Sequence, residues 1–261
     1  MWETIIVNPF TNILLLIYKL VGGNFGIAII LFTILIRLVT FPLMTSQIKS
    51  SQKMQELQNN KKWQEMQKKY KDDKEKLAQE QMKLYKELGI NPLSSCLPMF
   101  IQIPIIFGLY QSIIRALAAS PVQLRILQGI VYPILELQKL IPVNSRFLWM
   151  NLGQPEHVYA FGYGIPVLAI LVAITTYIQS KVTIVPSSNP KDQTAMMNNM
   201  MTLYMPLLLF YFSLNYASGL AVYFVITNLL SIIQYAMMGK VNWAALIPGH
   251  KVQPPQPAGG K

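Results

Sequence analysis

Five stretches of the chain are apolar for long enough to cross a bilayer, and the polar residues inside them recur at helical spacing. A helix rises about 1.5 Å per residue, so a crossing takes roughly 20 largely apolar residues. The stretches fall at about 24–44, 97–117, 159–180, 201–216 and 219–238. "NYASG" between the last two is so short that they must form an antiparallel hairpin. Two further apolar segments are poorer candidates. "FTNILLLIYKL" is interrupted by "VGGN" and reads as an interfacial helix within an N-terminal segment, 1–23. "ILQGIVYPILELQKLI", broken by Pro133, Glu136 and Lys139, reads as a surface or re-entrant element within 118–158. The pattern predicts an all-α polytopic membrane protein of five transmembrane helices.

Between the first two stretches the pattern changes. The segment 45–90 is polar with narrow apolar stripes, at Trp63, Met66 and Tyr70 and again at Leu77, Leu84 and Leu88. This predicts a hairpin of two weakly held helices, the second opened by a capping box at Asp72 and Glu75 and closed by "GINP". Its lysines make a solvated face. With Trp63, the group Lys61, Lys62, Lys68, Lys69 and Lys71 is a candidate recruitment surface for lipid headgroups or a partner.

Composition agrees with the pattern and narrows the functional classes. Of 261 residues 52% are hydrophobic and 13% charged, with a mean hydropathy of +0.36, whereas a soluble domain carries about 25% charged residues. Residues 45–89 hold eleven of the eighteen lysines and seven of the eleven acids. A net charge of +11 in so apolar a chain points to topology and anionic lipid rather than to nucleic acid. The single cysteine, Cys96, permits no disulfide framework, and His157 and His250 have no metal-ligand spacing. No nucleophile–base pairing occurs at membrane depth, so neither an enzyme nor a metal or cofactor is expected. "MWETIIVNPF" carries Glu3 and no basic run, which argues against a cleavable signal peptide.

Lysine and arginine set the expected orientation. The loop 45–90, the loop 181–200 with Lys181 and Lys191, and the tail 240–261 with Lys240, Lys251 and Lys261 are placed in the cytoplasm. The other side holds Lys19, Arg115, Arg125, Lys139 and Arg146 over much more chain, and the N-terminus lies there. The expected location is a bacterial plasma membrane.

The polar residues inside the stretches carry most of the functional information. Thr33, Arg37 and Thr40 share one face of the first, and Thr176, Gln179 and Thr183 one face of the third. Asn228 and Ser231 share a face with Phe224 and Tyr235 in the fifth, and Gln102 lies between Pro98 and Pro104 in the second. A lone Ser or Thr in a span usually bonds its own backbone. Four polar faces toward one half of the membrane instead predict a shared wet cavity. Two placements suit Arg37: snorkelling to the headgroups, or facing the cavity. The flanking threonines favour the second. No Asp or Glu occurs in any of the five stretches, so the cation suits an anionic group that comes and goes.

"ILIRLVTFPL", the lysine-rich hairpin, "LYKELGINPLSSCLPMFIQIPIIFGLY" and "MPLLLFYFSLNYASGLAVYFVITNLLSIIQ", in this order, closely resemble the YidC/Oxa/Alb membrane-protein insertase family over about 24–239. The resemblance implies insertion of newly made proteins into the bilayer, alone or beside the Sec translocon. It also implies a hydrophilic groove open to cytoplasm and lipid and closed toward the outside. The family's groove arginine falls on Arg37 and its neighbouring threonine on Thr33; Gln102, Gln179 and Asn228 match polar positions. The substrate-contacting aromatic falls on Phe224, where tyrosine or tryptophan is more usual, so an apolar contact without a hydrogen bond carries over. Implied partners are nascent membrane proteins, the lipid bilayer, the Sec translocon, and the ribosome or targeting factors. The short tail "HKVQPPQPAGGK" argues against strong tail-mediated ribosome binding. A small transporter or channel is the rival reading, and it would be expected to show paired intramembrane charges or two related halves.

Overall fold

In the computed structural model the described residues are 1–58, 60–70, 73–87, 97–118, 120–160, 163–183 and 193–246. A π-helical turn at Glu3–Val7 runs directly into α1 (Asn8–Leu20), with Pro9 where a missing N–H costs little. The helix begins well before the expected "FTNILLLIYKL", and one face of it is core. Leu14 and Leu15 are fully buried against α2 and α5. Asn12 ties the same helix to the segment 130–132: its amide donates to the Ile130 carbonyl and its oxygen accepts the Tyr132 N–H.

Helix α2 (Phe25–Gln58) is 34 residues long, about 50 Å, and passes Pro42 without ending. The first part of the expected 45–90 hairpin therefore belongs to the first apolar helix. Its rest forms α3 (Lys61–Lys69), capped by the Asn60 side chain, and α4 (Lys74–Glu87). The cap of α4 is Asp73, whose carboxylate accepts the Lys76 N–H. Asp72, Leu88 and "GINP" lie outside the described residues.

Helix α5 (Leu97–Leu117) contains Pro104, and α6 (Pro121–Ile130) is capped by Ser120. A 3-10 turn at Pro133–Leu135 and a short α7 (Leu137–Leu140) follow. Two antiparallel hairpins come next: β1 (Arg146–Phe147) with β2 (Met150–Asn151), and β3 (Val158–Ala160) with β4 (Tyr163–Ile165). The second occupies the start of the stretch expected at 159–180. Gly164 and Pro166 disfavour helix there, and α8 (Val167–Thr183) begins only after the proline. Helix α9 (Gln193–Asn215) extends the 201–216 stretch backward to Gln193 and passes Pro206 without ending, and α10 (Ser218–Met237) follows a two-residue turn.

Helix α10 packs between α8 and α2, while α8 also packs on α9 and α1 lies on α5 and α2. Phe25, Ile29, Phe32, Leu109, Ile113 and Leu220 form the centre of the core. Gly219 lets α10 approach closely, since a Cβ there would lie 3.1 Å from both Ile29 Cδ1 and the Leu152 carbonyl oxygen. Outward faces are apolar as well: Leu31, Leu35, Leu38 and Val39 of α2 and Leu203, Leu207 and Leu208 of α9 are exposed. Among the described residues, Phe25–Ser50, Phe100–Leu117 and Ser218–Met237 are long and apolar enough to cross a membrane; Val167–Thr183 and Met200–Asn215 are apolar but shorter. Helices that are apolar on both inner and outer faces belong in lipid, where their backbone bonds are met internally. The chain is a multi-pass membrane protein.

Candidate functional site

Arg37 leaves α2 and reaches across to α10. Its Nη2 donates to Ser231 Oγ at 2.7 Å and to the Thr227 carbonyl at 3.1 Å. Ser231 Oγ also donates to that carbonyl, 2.9 Å away. Both acceptors are uncharged, and the ion pairs among the described residues lie elsewhere, such as Lys76–Asp73 and Arg115–Glu3. The half-buried cation is thus hydrogen-bonded but not neutralised. Its guanidinium contacts a neighbouring helix rather than the end of its own.

The threonines beside it are satisfied locally. Thr33 is fully buried, and its Oγ1 donates to the Ile29 carbonyl at 2.7 Å; Thr40 Oγ1 donates to Ile36 at 2.8 Å. Such back-bonding removes their donors and leaves an acceptor lone pair. They are weaker recognition groups than spacing alone predicts.

A second cluster joins α10 to α8. The Asn228 amide donates to Thr176 Oγ1 at 2.8 Å and to Thr175 Oγ1 at 3.1 Å, and all three side chains are buried. Each threonine donates onward to its own helix, Thr175 to Leu171 and Thr176 to Val172. Gln179 only approaches Thr183, at 3.5 Å, beyond good hydrogen-bond length. Gln102 of α5 donates to the Tyr223 hydroxyl, and Gln234 to Thr45 Oγ1 at 3.2 Å. Phe224 is 3% exposed and packs in the core, so it meets no lipid in this arrangement.

The fold therefore brings Arg37 together with Ser231, and Asn228 with Thr176, along the two faces of α10. It does not bring Thr33, Thr40 or Gln179 into the same bonds. Tyr223, Thr227 and Gln234 were not singled out from the sequence. They were within reach of it: with Ser231 they recur at i, i+4, i+8 and i+11, one helical stripe.

The hairpin end of the bundle is closed by backbone and side-chain bonds. Ser218 N–H and Oγ donate to the Gln154 and Asn151 carbonyls, and Gly219 N–H to Leu152, so the β2 turn caps α10. Glu156, 6% exposed, accepts the Trp149 indole N–H at 2.7 Å and the Leu168 N–H at 2.9 Å, capping α8. Phe147 covers Gly26, where a Cβ would meet its ring at 2.1 Å. Orphan donors at helix starts are the usual weak point, and here the Ser218, Gly219 and Leu168 N–H groups find acceptors.

At the opposite end α3 and α4 make a small core of their own. Trp63 is 2% exposed, and its ring centroid lies 5.5 Å from that of Tyr85. Burial pushes the Tyr85 phenol above its ordinary pKa. Trp63 therefore lies in the hairpin's own core rather than on its surface, because an amphipathic hairpin has few other apolar groups to bury. Lys62, Lys68 and Lys69 are exposed, with Lys69 Nζ 5.3 Å from the Tyr70 ring centroid. The Lys61 side chain and Lys71 lie outside the described residues.

Residues 16–244 match the family described as 60Kd inner membrane protein. The chain is 34% identical over 265 residues to membrane protein insertase MisCA of Bacillus subtilis (strain 168), covering 100% of this chain and 85% of that one. It is 33% identical over 237 residues to membrane protein insertase YidC 2 of Bacillus anthracis, covering 89% and 79%. Among solved structures it resembles the crystal structure of an active YidC insertase with its first transmembrane domain resolved, at a TM-score of 0.52 and 26% identity. That likeness covers 85% of this chain and 43% of the other. A family match over most of its length, and relatives aligned nearly end to end, mean that this chain belongs to the YidC/Oxa/Alb family of membrane protein insertases.

Proposed function

We propose that the chain inserts newly made membrane proteins through the seam between α2, α8 and α10, with Arg37 as its electrostatic centre. The observation that carries this reading is the Arg37 guanidinium held by Ser231 Oγ and the Thr227 carbonyl without an anionic partner among the described residues. A cation kept at membrane depth by neutral acceptors remains attractive to a carboxylate that arrives with a substrate. The N-terminus lies outside and the lysine-rich α3–α4 end in the cytoplasm, following the lysine distribution.

A nascent hydrophobic segment meets the α3–α4 hairpin, and a short polar or acidic tail enters beside Arg37. The polar seam shortens the apolar barrier, lowering a cost of roughly 2.5–3.5 kcal/mol per charge at the bilayer centre. Membrane potential draws an acidic tail outward, contributing about 2.3 kcal/mol per charge per 100 mV. The apolar segment then moves sideways into lipid past Phe224, which requires α10 to part from its neighbours. No covalent bond changes. The Sec translocon and the ribosome or targeting factors are the partners of this cycle.

Insertion of an acidic-tailed substrate, measured in cells depleted of their own insertase, tests the reading. Arg37→Ala abolishes it and Arg37→Lys preserves most of it, because charge rather than fork geometry is used. Normal insertion by Arg37→Ala would remove the electrostatic step. Photocrosslinkers at Thr33, Gln179 and Phe224 should capture a stalled nascent chain; capture of lipid alone counts against the seam.

A further inference from the structure

Two amide side chains that reach α10 or leave it have partners: Gln102 of α5 bonds Tyr223, and Gln234 bonds Thr45. Gln47 does not. It is 6% exposed, and both its Nε2 and its Oε1 are buried without a hydrogen-bond partner among the described residues. Six and two residues before it on α2, the Phe41 carbonyl and Thr45 Oγ1 accept from Gln234, so the gap in pairing sits beside a satisfied pair.

Its position extends the polar face of α2. Gln47 lies seven residues after Thr40 and fourteen after Thr33, within about 40° of both around the helix. It stands about 10 Å beyond Thr40 toward the α3–α4 end, where a chain entering from that side arrives first. A glutamine orphaned at both atoms is unfavourable in the resting protein, and a leucine of similar volume would avoid the penalty. Its planar pair of one acceptor and one donor group matches a peptide unit, which offers the same two functions in reverse. Recognition of that kind ignores side-chain identity, as a protein handling many sequences requires.

We infer that Gln47 is a substrate-positioning residue that pairs with the backbone of the incoming polypeptide at the mouth of the seam. The inference rests on the insertion reading above and adds a contact that depends on neither substrate charge nor Arg37. In the resting state the amide is covered, and the entering chain replaces its cover.

The test uses the full chain in proteoliposomes with a stalled single-span nascent protein, made in versions with acidic and with uncharged polar tails. Gln47→Leu should melt no lower than the wild type, yet lower insertion of both versions about three- to tenfold, the worth of one or two hydrogen bonds. A photocrosslinker at position 47 should capture the nascent chain, as should one at position 33. A lower melting point with a proportional loss of insertion would make Gln47 merely structural and overturn the inference. So would unchanged insertion by Gln47→Leu, or capture from position 33 without capture from 47. Capture from neither position would instead remove the seam itself.

Discussion

Ser231 Oγ on α10 lies 2.7 Å from Arg37 Nη2 on α2, so a side chain 194 residues away holds the one arginine of the first apolar helix. A hydroxyl orients the cation without cancelling its charge. Ser231→Asp would place a fixed carboxylate there and remove the attraction for a mobile one. Insertion of acidic-tailed substrates should fall about tenfold or more, since a charge-assisted bond is worth about 1.5–3 kcal/mol. Ser231→Asn, which adds bulk without charge, should fall far less. An insertion assay comparing the two isolates the charge.

Asn228 joins α10 to α8 through Thr175 and Thr176. Hydrogen bonds between membrane helices average about 0.6 kcal/mol and reach about 1.7. Asn228→Leu should cost within that range, and a double-mutant cycle with Thr176→Val should return most of it as coupling. Equilibrium unfolding in detergent measures both. A coupling near zero would mean that the helices are held by packing alone.

Glu156 caps α8 and holds the Trp149 indole. Glu156→Leu orphans two donors and should destabilise the protein by about 1–3 kcal/mol for each one that stays buried. Glu156→Gln keeps one acceptor oxygen and should cost about half as much. Thermal melting, with protease cleavage near 154–158 as a local probe, checks the order of the two variants.

The α3–α4 contact should depend on alkali. Burial holds the Tyr85 phenol above its ordinary value of 10.0, so the neutral form is favoured when Trp63 and Tyr85 are packed. Its contribution is complete below the unfolded pKa and is lost as pH rises through the packed one. With Trp63 as the only remaining tryptophan, its fluorescence should report exposure above about pH 10. Tyr85→Phe should remove that transition; an unchanged titration would show that another group governs it.

The sequence by itself determined the class of fold, the five apolar stretches, and an arginine inside the first of them with no carboxylate in any stretch. These are properties of hydropathy and periodicity, and each is local. Helix ends were less legible. Nothing in "TSQIKSS" stops a helix once α2 has begun, so α2 runs on to Gln58, and Gly164 with Pro166 delays α8 until Val167. The polar faces were legible as faces, but their pairings were not.

Only the tertiary structure decided which polar groups spend their bonds at home and which reach across. Thr33 and Thr40 turn back onto the Ile29 and Ile36 carbonyls of their own helix, whereas Arg37, Asn228 and Gln102 bridge helices. It also decided that Trp63 and Phe224 are buried and that Gln47 has no hydrogen-bond partner among the described residues. The physical reason is distance. Spacing sets the face on which a side chain stands, but a hydrogen bond exists or fails within a few tenths of an ångström, set by how closely another helix approaches.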